Sequence, residues 1–220
     1  MNGDLEQAVQ IPAAGVILDG DLVVPVDATG VVVFAHGSGS SRRSPRNRMV
    51  AARLQEAGYG TLLMDLLTAE EDEIDSRTRK FRFDIPRLAA RLSDAIRWLS
   101  DHADAGPQPI ALFGASTGAA AALMAAADVP DQVQLVISRG GRPDLAGDAL
   151  RKVQAPTLLI VGGRDLEVLD LNKAAAAQMS VPADIVVVPG ATHLFEEPGT
   201  LDRVVELALD ALRQHMDHAT

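Results

Sequence analysis

A serine framed by two glycines is the residue of this sequence with the clearest chemical potential. Ser116 lies at the centre of the G-x-S-x-G pattern Gly114–Gly118, which follows the apolar run Ile110–Phe113 and precedes the alanine-rich segment Ala119–Ala127. A turn this tight between a strand and a helix forces its central residue into a strained backbone conformation and exposes its side chain above the sheet. The pattern therefore predicts that Ser116 is a nucleophile.

A serine hydroxyl is a weak nucleophile unless a base removes its proton, and the sequence offers one. His193 lies in the loop after the last apolar run, and Asp165 follows the preceding run, where its carboxylate could hold the imidazole in the required tautomer. The three residues are predicted to form a Ser-His-Asp triad. Other carboxylates remain open as the acid, namely Asp144, Glu167 and Asp170.

An oxyanion hole is predicted from the segment His36–Ser41, which follows the apolar run Val31–Ala35. The backbone N–H groups of Ser38 and Thr117 could both point at a developing oxyanion, and each such donor typically contributes about 3 kcal/mol. His36 is expected to orient this loop rather than to transfer protons.

The elements that must position these residues form an alternating pattern. Short runs that are apolar on both faces and bounded by Gly or Pro are typical of strands in a parallel sheet covered on both sides. Segments with apolar residues at three- and four-residue steps separate them. This alternation predicts an α/β fold with a mostly parallel, doubly wound sheet of about seven or eight strands. The expected strands follow a hairpin at about residues 5–26 and are Val31–Ala35, Thr61–Met64, Ile110–Phe113, Leu135–Ile137, Thr157–Val161 and Asp184–Val188; the expected helices include Ile85–Leu99 and Leu201–Leu212. Residues 1–220 are expected to form one domain.

Composition excludes several classes of protein. The 220 residues carry 30 acidic and 20 basic side chains, for a net charge of −10, which argues against a nucleic-acid binder. No cysteine is present, so disulfides and thiolate chemistry are excluded. No spacing of histidines predicts a metal site, and no cofactor is expected. The start Met1–Gln7 lacks an export signal, and the uncharged stretch Ala105–Ala127 is broken by Pro and Gly, so a cytoplasmic protein without membrane contact is expected.

Two charged regions have open interpretations. Arginines cluster after the predicted oxyanion loop and after the strand next to the nucleophile, and Arg43 and Arg139 are candidate substrate-binding residues for an anionic group. The alternative is ordinary surface charge. Residues 68–84 are rich in acidic and then basic side chains and are expected to be a solvated loop, with a mobile flap beside the site as the alternative.

The sequence resembles the compact α/β-hydrolases of the dienelactone-hydrolase-like group. The likeness covers nearly the whole chain, through the segments HGSGSSRRSPRNR, LLMDLLT, FGASTG, ISRGGRPDLAG, APTLLIVGGRD and VPGATHLFEEPG. The chain order serine, aspartate, histidine is also the order of α/β-hydrolases. The resemblance implies that Ser116, Asp165 and His193 are the catalytic triad and that Ser38 and Thr117 form the oxyanion hole. Dienelactone hydrolases proper have a cysteine in the elbow, so the serine favours an ordinary esterase.

The expected function is that of a carboxylesterase-type serine hydrolase. Only about eighteen residues separate Ile137 from Pro156, the place where larger hydrolases insert a helical cap. Without a cap domain, the pocket should be shallow and suit small, short-acyl esters. The alternatives are a thioesterase or perhydrolase that uses the same triad, and a non-catalytic binding protein with this fold. The substrate is expected to be a small molecule, and the oligomeric state stays open, with a homodimer as one option.

Overall fold

The computed structural model describes residues 5–102 and 108–217. They contain one eight-stranded sheet with helices on both faces. The strands are β1 Leu5–Ala13, β2 Val16–Val24, β3 Val31–Ala35, β4 Gly60–Met64, β5 Ile110–Ala115, β6 Val133–Arg139, β7 Thr157–Gly162 and β8 Ala183–Val188. The helices are α1 Pro45–Glu56, α2 Ala69–Thr78, α3 Ile85–Asp101, α4 Thr117–Asp128, α5 Leu166–Ala176 and α6 Thr200–Met216, with a 3-10 helical segment at Pro143–Lys152.

The strand order places the ends of β3 and β5 side by side. The order across the sheet is β1-β2-β4-β3-β5-β6-β7-β8; β1, β2 and β4 pair antiparallel, and β3 to β8 run parallel. The chain moves from β3 to β4 on one side and then to β5 on the other. Open α/β sheets bind ligands at such a switch point, beyond the carboxyl ends of the strands.

Two hydrophobic cores hold the sheet between its helices. Every residue of β3 and β5 is buried, because both faces of these central strands are covered. Side chains of β3, β5 and β6 alternate between a core beneath α3 and α4 and a core beneath α1 and α6. The predicted α/β-hydrolase architecture is therefore confirmed, including the N-terminal hairpin of β1 and β2.

The prediction of a solvated loop at residues 68–84 is wrong for most of its length. Ala69–Thr78 is helix α2, and a capping box starts it. The hydroxyl of Thr68 accepts a hydrogen bond from the N–H of Glu71 at 3.2 Å, and the Glu71 carboxylate accepts one from the N–H of Thr68 at 3.0 Å. Such reciprocal bonds satisfy two donors that would otherwise be free at the helix start.

Buried ion pairs fasten α2 and the segment that follows it. Glu71 pairs with the buried Arg91 of α3 through both carboxylate oxygens, at 2.6 and 2.7 Å. Asp75, fully buried, accepts hydrogen bonds from the backbone of Phe81 and Arg82 and from the Arg82 side chain. These hydrogen bonds lower the pKa of Asp75 even though its burial acts to raise it. The charged side chains of this region therefore hold α2 against α3 and against the segment that follows α2.

The segment between β6 and β7 carries no separate cap domain. It consists of the 3-10 helical turns Pro143–Lys152, with a kink at Gly147, where φ is +53°. At the far edge, β8 is less buried than predicted, because it has a neighbouring strand on one side only. Val187 in this strand is exposed. Within the described ranges, no helix is both long and apolar enough to cross a membrane.

Candidate active site

Ser116 occupies a strained turn between β5 and α4. Its φ is +51° and its ψ is −122°, a combination that residues with a side chain rarely adopt. Close packing explains the flanking glycines: a Cβ at Gly114 would overlap the backbone of Ala119, and one at Gly118 would overlap the carbonyl oxygen of Ala35. The turn brings α4 directly against β3 and leaves the Ser116 side chain at the edge of the sheet.

His193 joins Ser116 and Asp165 in one hydrogen-bonded line. Nε2 of His193 lies 3.4 Å from Oγ of Ser116, and Nδ1 lies 2.7 Å from Oδ2 of Asp165. Because a carboxylate only accepts hydrogen bonds, Nδ1 carries a proton, and in the neutral ring the free lone pair is then on Nε2. The Asp165 side chain is largely buried, and that of His193 is 38% exposed. The structure thus brings together the three residues that the sequence predicts as a triad.

Two of the other carboxylates named from the sequence, Asp144 and Asp170, have different partners. Asp144 accepts two hydrogen bonds from the guanidinium of Arg142, both at 2.8 Å. Asp170 pairs with Lys173 on the surface of α5. Asp165 instead follows the turn at the end of β7, where its N–H donates to the carbonyl of Gly162 at 3.0 Å. This turn aims the Asp165 carboxylate at His193.

The loop that carries His193 is held by a residue that the sequence did not single out. Glu197 accepts a hydrogen bond from the N–H of Thr192 at 3.1 Å, and hydrogen bonds from Thr192 lower the pKa of this carboxyl. On the other side, the N–H of Arg164 donates to the carbonyl of Ala191 at 2.9 Å and ties this loop to the Asp165 turn. The sequence signals this hydrogen bond to the His193 loop only through the position of Glu197, four residues after the histidine.

In the oxyanion loop, the predicted donor at Ser38 already has a partner. Its N–H donates to Oγ1 of Thr117 at 2.9 Å. The loop also approaches the elbow closely, since a Cβ on Gly37 would lie 3.1 Å from Cβ of Ser116. Both predicted oxyanion residues therefore lie beside Ser116, but the Ser38 N–H must leave or share the Thr117 hydroxyl before it can bind an oxyanion.

His36 supports this loop as a neutral side chain. Nε2 accepts a hydrogen bond from the N–H of Leu66 at 3.0 Å, and Nδ1 donates to the carbonyl of Gly37 at 2.9 Å. Burial lowers the pKa of His36 from its ordinary value of 6.5, because charging the ring would cost its solvation. These contacts agree with the orienting role predicted for it.

The two candidate substrate-binding arginines lie in different surroundings. Arg43 is exposed and lines a cleft of about 620 Å³ together with His36 and Asp65; Ser116 is not part of that lining. Arg139 is buried at the end of β6, next to the elbow. No cluster of three or more metal-ligating side chains occurs in the parts of the chain that the structure describes.

The fold and this arrangement define an α/β-hydrolase. A sequence profile of the dienelactone hydrolase family matches residues 18–218, and the chain belongs to that family. A dienelactone hydrolase from Anabaena variabilis is 54% identical, with a TM-score of 0.95 over 98% of this chain and all of that one. The esterase Est1E from Butyrivibrio proteoclasticus shares the fold, with a TM-score of 0.74 at 18% identity over 93% of this chain and 98% of that one.

A curated relative from Mycobacterium tuberculosis H37Rv carries a different provisional name, phosphoribosyl transferase. It is 56% identical over 211 residues, which are 96% of this chain but 47% of the relative. The chain therefore spans about half the length of the curated relatives that it matches. Family and neighbouring structures together support a hydrolase.

Proposed function

We propose that this chain is a serine hydrolase that cleaves small, short-acyl esters through an acyl-enzyme. The observation that carries the proposal is the alignment of Ser116, His193 and Asp165 at hydrogen-bonding distances. His193 Nε2 takes the proton of Ser116 as Oγ attacks the ester carbonyl carbon, and Asp165 stabilises the imidazolium that forms. The chain has no cysteine, so a serine is the nucleophile available in the elbow.

The tetrahedral intermediate is stabilised by backbone donors on both sides of Ser116. The N–H of Thr117 lies at the start of α4, where the helix dipole also favours negative charge. The second donor is the N–H of Ser38, which exchanges the Thr117 hydroxyl for the oxyanion when substrate binds. His193 then gives its proton to the leaving alcohol, and a water molecule repeats the sequence to release the acid.

The segment between β6 and β7 supports the preference for short acyl groups. Pro143–Lys152 forms short 3-10 turns and lacks the length to build an apolar lid over Ser116. Long acyl chains gain their binding energy from enclosed apolar surface, which such an open site does not provide. Small esters need only the carbonyl to be held.

The relatives named phosphoribosyl transferase are about twice as long as this chain, which matches about half of their length. The matching part belongs to the dienelactone hydrolase family, and this supports a hydrolase over a transferase.

The test is steady-state hydrolysis of para-nitrophenyl acetate, butyrate and palmitate by the wild type, Ser116→Ala and the control Ser76→Ala. Ser76 is an exposed serine on α2. We expect the acetate and butyrate to be cleaved much faster than the palmitate, and Ser116→Ala to lose at least about 10⁴-fold in kcat while Ser76→Ala resembles the wild type. A Ser116→Ala variant with near wild-type turnover would contradict the proposal.

A further inference from the structure

The side chain of Thr117 is buried directly beside the candidate nucleophile. Thr117 follows Ser116 in the elbow, is the first residue of α4, and is 4% exposed. Its Oγ1 accepts a hydrogen bond from the N–H of Ser38 at 2.9 Å. The proposed mechanism uses the backbone N–H groups of Thr117 and Ser38, but it gives the Thr117 hydroxyl proton no part in the reaction.

The proton of this hydroxyl has no acceptor among the described residues. A threonine hydroxyl has one proton to donate and two lone pairs, and Thr117 uses one lone pair for Ser38. Inside a helix, the proton often goes to a carbonyl three or four residues earlier. The residues at those positions before Thr117 are Gly114 and Phe113, which belong to strand β5 and not to a helical turn. A buried donor without an acceptor costs free energy, so its place next to a nucleophile calls for an explanation.

Thr200 shows what a buried hydroxyl at the same position of another helix does. It is the first residue of α6, it is 7% exposed, and its Oγ1 donates a hydrogen bond to the carbonyl of Glu197 at 2.7 Å. The Thr200 proton is therefore satisfied within the protein. Thr117 starts its helix in the same way, but its proton remains available for a ligand.

The Thr117 hydroxyl lies where an oxyanion would lie relative to Ser38. The N–H of Ser38 is one of the two proposed oxyanion donors, and in the structure it points at Oγ1 of Thr117. The other proposed donor is the N–H of Thr117 itself, so an oxygen bound by both N–H groups is close to the hydroxyl as well. The oxyanion loop also packs tightly here, since a Cβ on Gly37 would lie 3.1 Å from Cβ of Ser116.

We propose that the Thr117 hydroxyl is a third donor of the oxyanion hole and therefore a catalytic group; the inference rests on the proposed esterase function. In the free enzyme, Oγ1 occupies the place of the oxyanion and accepts the N–H of Ser38. When Ser116 attacks, the carbonyl oxygen of the ester takes up the negative charge and accepts the N–H of Ser38 instead. The Thr117 hydroxyl then donates a hydrogen bond to the same oxygen. No covalent bond of Thr117 forms or breaks in this step.

A hydroxyl suits this position because it can both accept and donate a hydrogen bond. As an acceptor it satisfies the Ser38 N–H while no substrate is bound. As a donor it forms a hydrogen bond that is stronger to an oxyanion than to the neutral carbonyl of the ester. Such a contact stabilises the transition state more than the bound substrate, so its loss should lower kcat and leave KM nearly unchanged.

The first test compares Thr117→Val, Thr117→Ala and Thr117→Ser with the wild type in the hydrolysis of para-nitrophenyl butyrate. Loss of one oxyanion donor typically lowers kcat by about 10²-fold or more. We expect this loss in Thr117→Val, which keeps the shape of the side chain, and in Thr117→Ala. Thr117→Ser keeps the hydroxyl and should retain kcat within about fivefold of the wild type. The control is Thr78→Val, which changes an exposed threonine at the end of α2 and should resemble the wild type.

The second test measures inhibition by propyl trifluoromethyl ketone. The serine oxygen adds to the carbonyl carbon of this ketone, and the tetrahedral hemiketal carries the oxyanion of the proposed intermediate without a leaving group. We expect the inhibition constant to rise in Thr117→Val by about the factor by which kcat/KM falls, because both quantities report stabilisation of the oxyanion. Thr117→Ser should bind the ketone about as tightly as the wild type.

Four results would reject the third donor while wild-type cleavage of the butyrate leaves the esterase intact. Unchanged kcat in Thr117→Val is one, and a higher kcat, which would show that the hydroxyl only competes for the Ser38 N–H, is another. Equal losses in Thr117→Val and Thr117→Ser would assign the effect to the shape of the side chain. A lower kcat without a change in the inhibition constant would place the hydroxyl away from the oxyanion. A wild type that cleaves no ester rejects the proposed function and the third donor with it.

Discussion

The carboxylate of Asp165 lies 2.7 Å from Nδ1 of His193. This contact selects the tautomer in which Nε2, the nitrogen near Ser116, has a free lone pair. The loops after β7 and β8 meet to create it, since the Arg164 N–H bonds to the carbonyl of Ala191. Two strands that are neighbours in the sheet thus position Asp165 and His193 together.

Replacement of Asp165 should therefore lower kcat far more than replacement of Asp144. Asp165→Asn preserves size but stabilises the wrong imidazole tautomer, and we expect kcat to fall by about 10⁴-fold, as in other triads. Asp144→Asn, which disturbs only a partly exposed pair with Arg142, should retain kcat within about threefold. Steady-state ester hydrolysis by both variants checks this. Equal losses in the two variants would remove Asp165 from its assigned role.

Acid should destabilise the fold through His36. Its pKa is lowered in the folded state by burial, so below about pH 6.5 the unfolded chain takes up a proton that the folded chain resists, and the free energy of unfolding decreases. We expect urea unfolding of the wild type to lose stability between pH 7 and pH 5 more steeply than that of His36→Gln, by at most about 1.4 kcal/mol per pH unit. Parallel pH profiles for the two proteins would show that His36 titrates normally.

The anchoring of α2 should appear in stability measurements. Glu71→Gln leaves the buried Arg91 without its counter-charge, and we expect the free energy of unfolding to fall by about 3 kcal/mol. Glu73→Gln is the matched control on the same helix: Glu73 pairs with Arg77 at the surface, and its loss should cost less than about 0.5 kcal/mol. Urea denaturation measures both values. If the two variants are equally stable, the buried pair does not hold α2 in place.

The sequence predicts the sheet well because its strands are continuous apolar runs. The predicted run Val31–Ala35 coincides with β3, and Ser116 has the positive φ that the G-x-S-x-G turn requires. These features depend on local sterics and on burial on both faces, which are visible in a few consecutive residues.

The sequence does not predict helix α2 because the contacts that stabilise it join the helix to other parts of the chain. Its sequence is highly charged and shows no apolar stripe, and the contacts that hold it, from Glu71 to Arg91 and from Asp75 to Arg82, join residues on different elements. The capping signal of Thr68 and Glu71 was present but is weak without an apolar run behind it.

Within the candidate site, the residue types and their order could be predicted, but their hydrogen bonds could not. That the Ser38 N–H donates to the Thr117 hydroxyl depends on one rotamer. That Arg139 is buried with no ion pair to any carboxylate among the described residues depends on what α1 and the His193 loop place around it. Neither condition leaves a pattern in the sequence.

The proposed mechanism requires Ser116 to be an activated nucleophile, and covalent labelling measures that property. The protein is incubated with a fluorophosphonate probe, digested, and the modified residue located by mass spectrometry. We expect a single adduct on Ser116 that is absent in Ser116→Ala and forms much more slowly in His193→Ala, because the histidine would remove the serine proton. Folded wild-type protein that does not react, or that reacts equally well in Ser116→Ala, would contradict it.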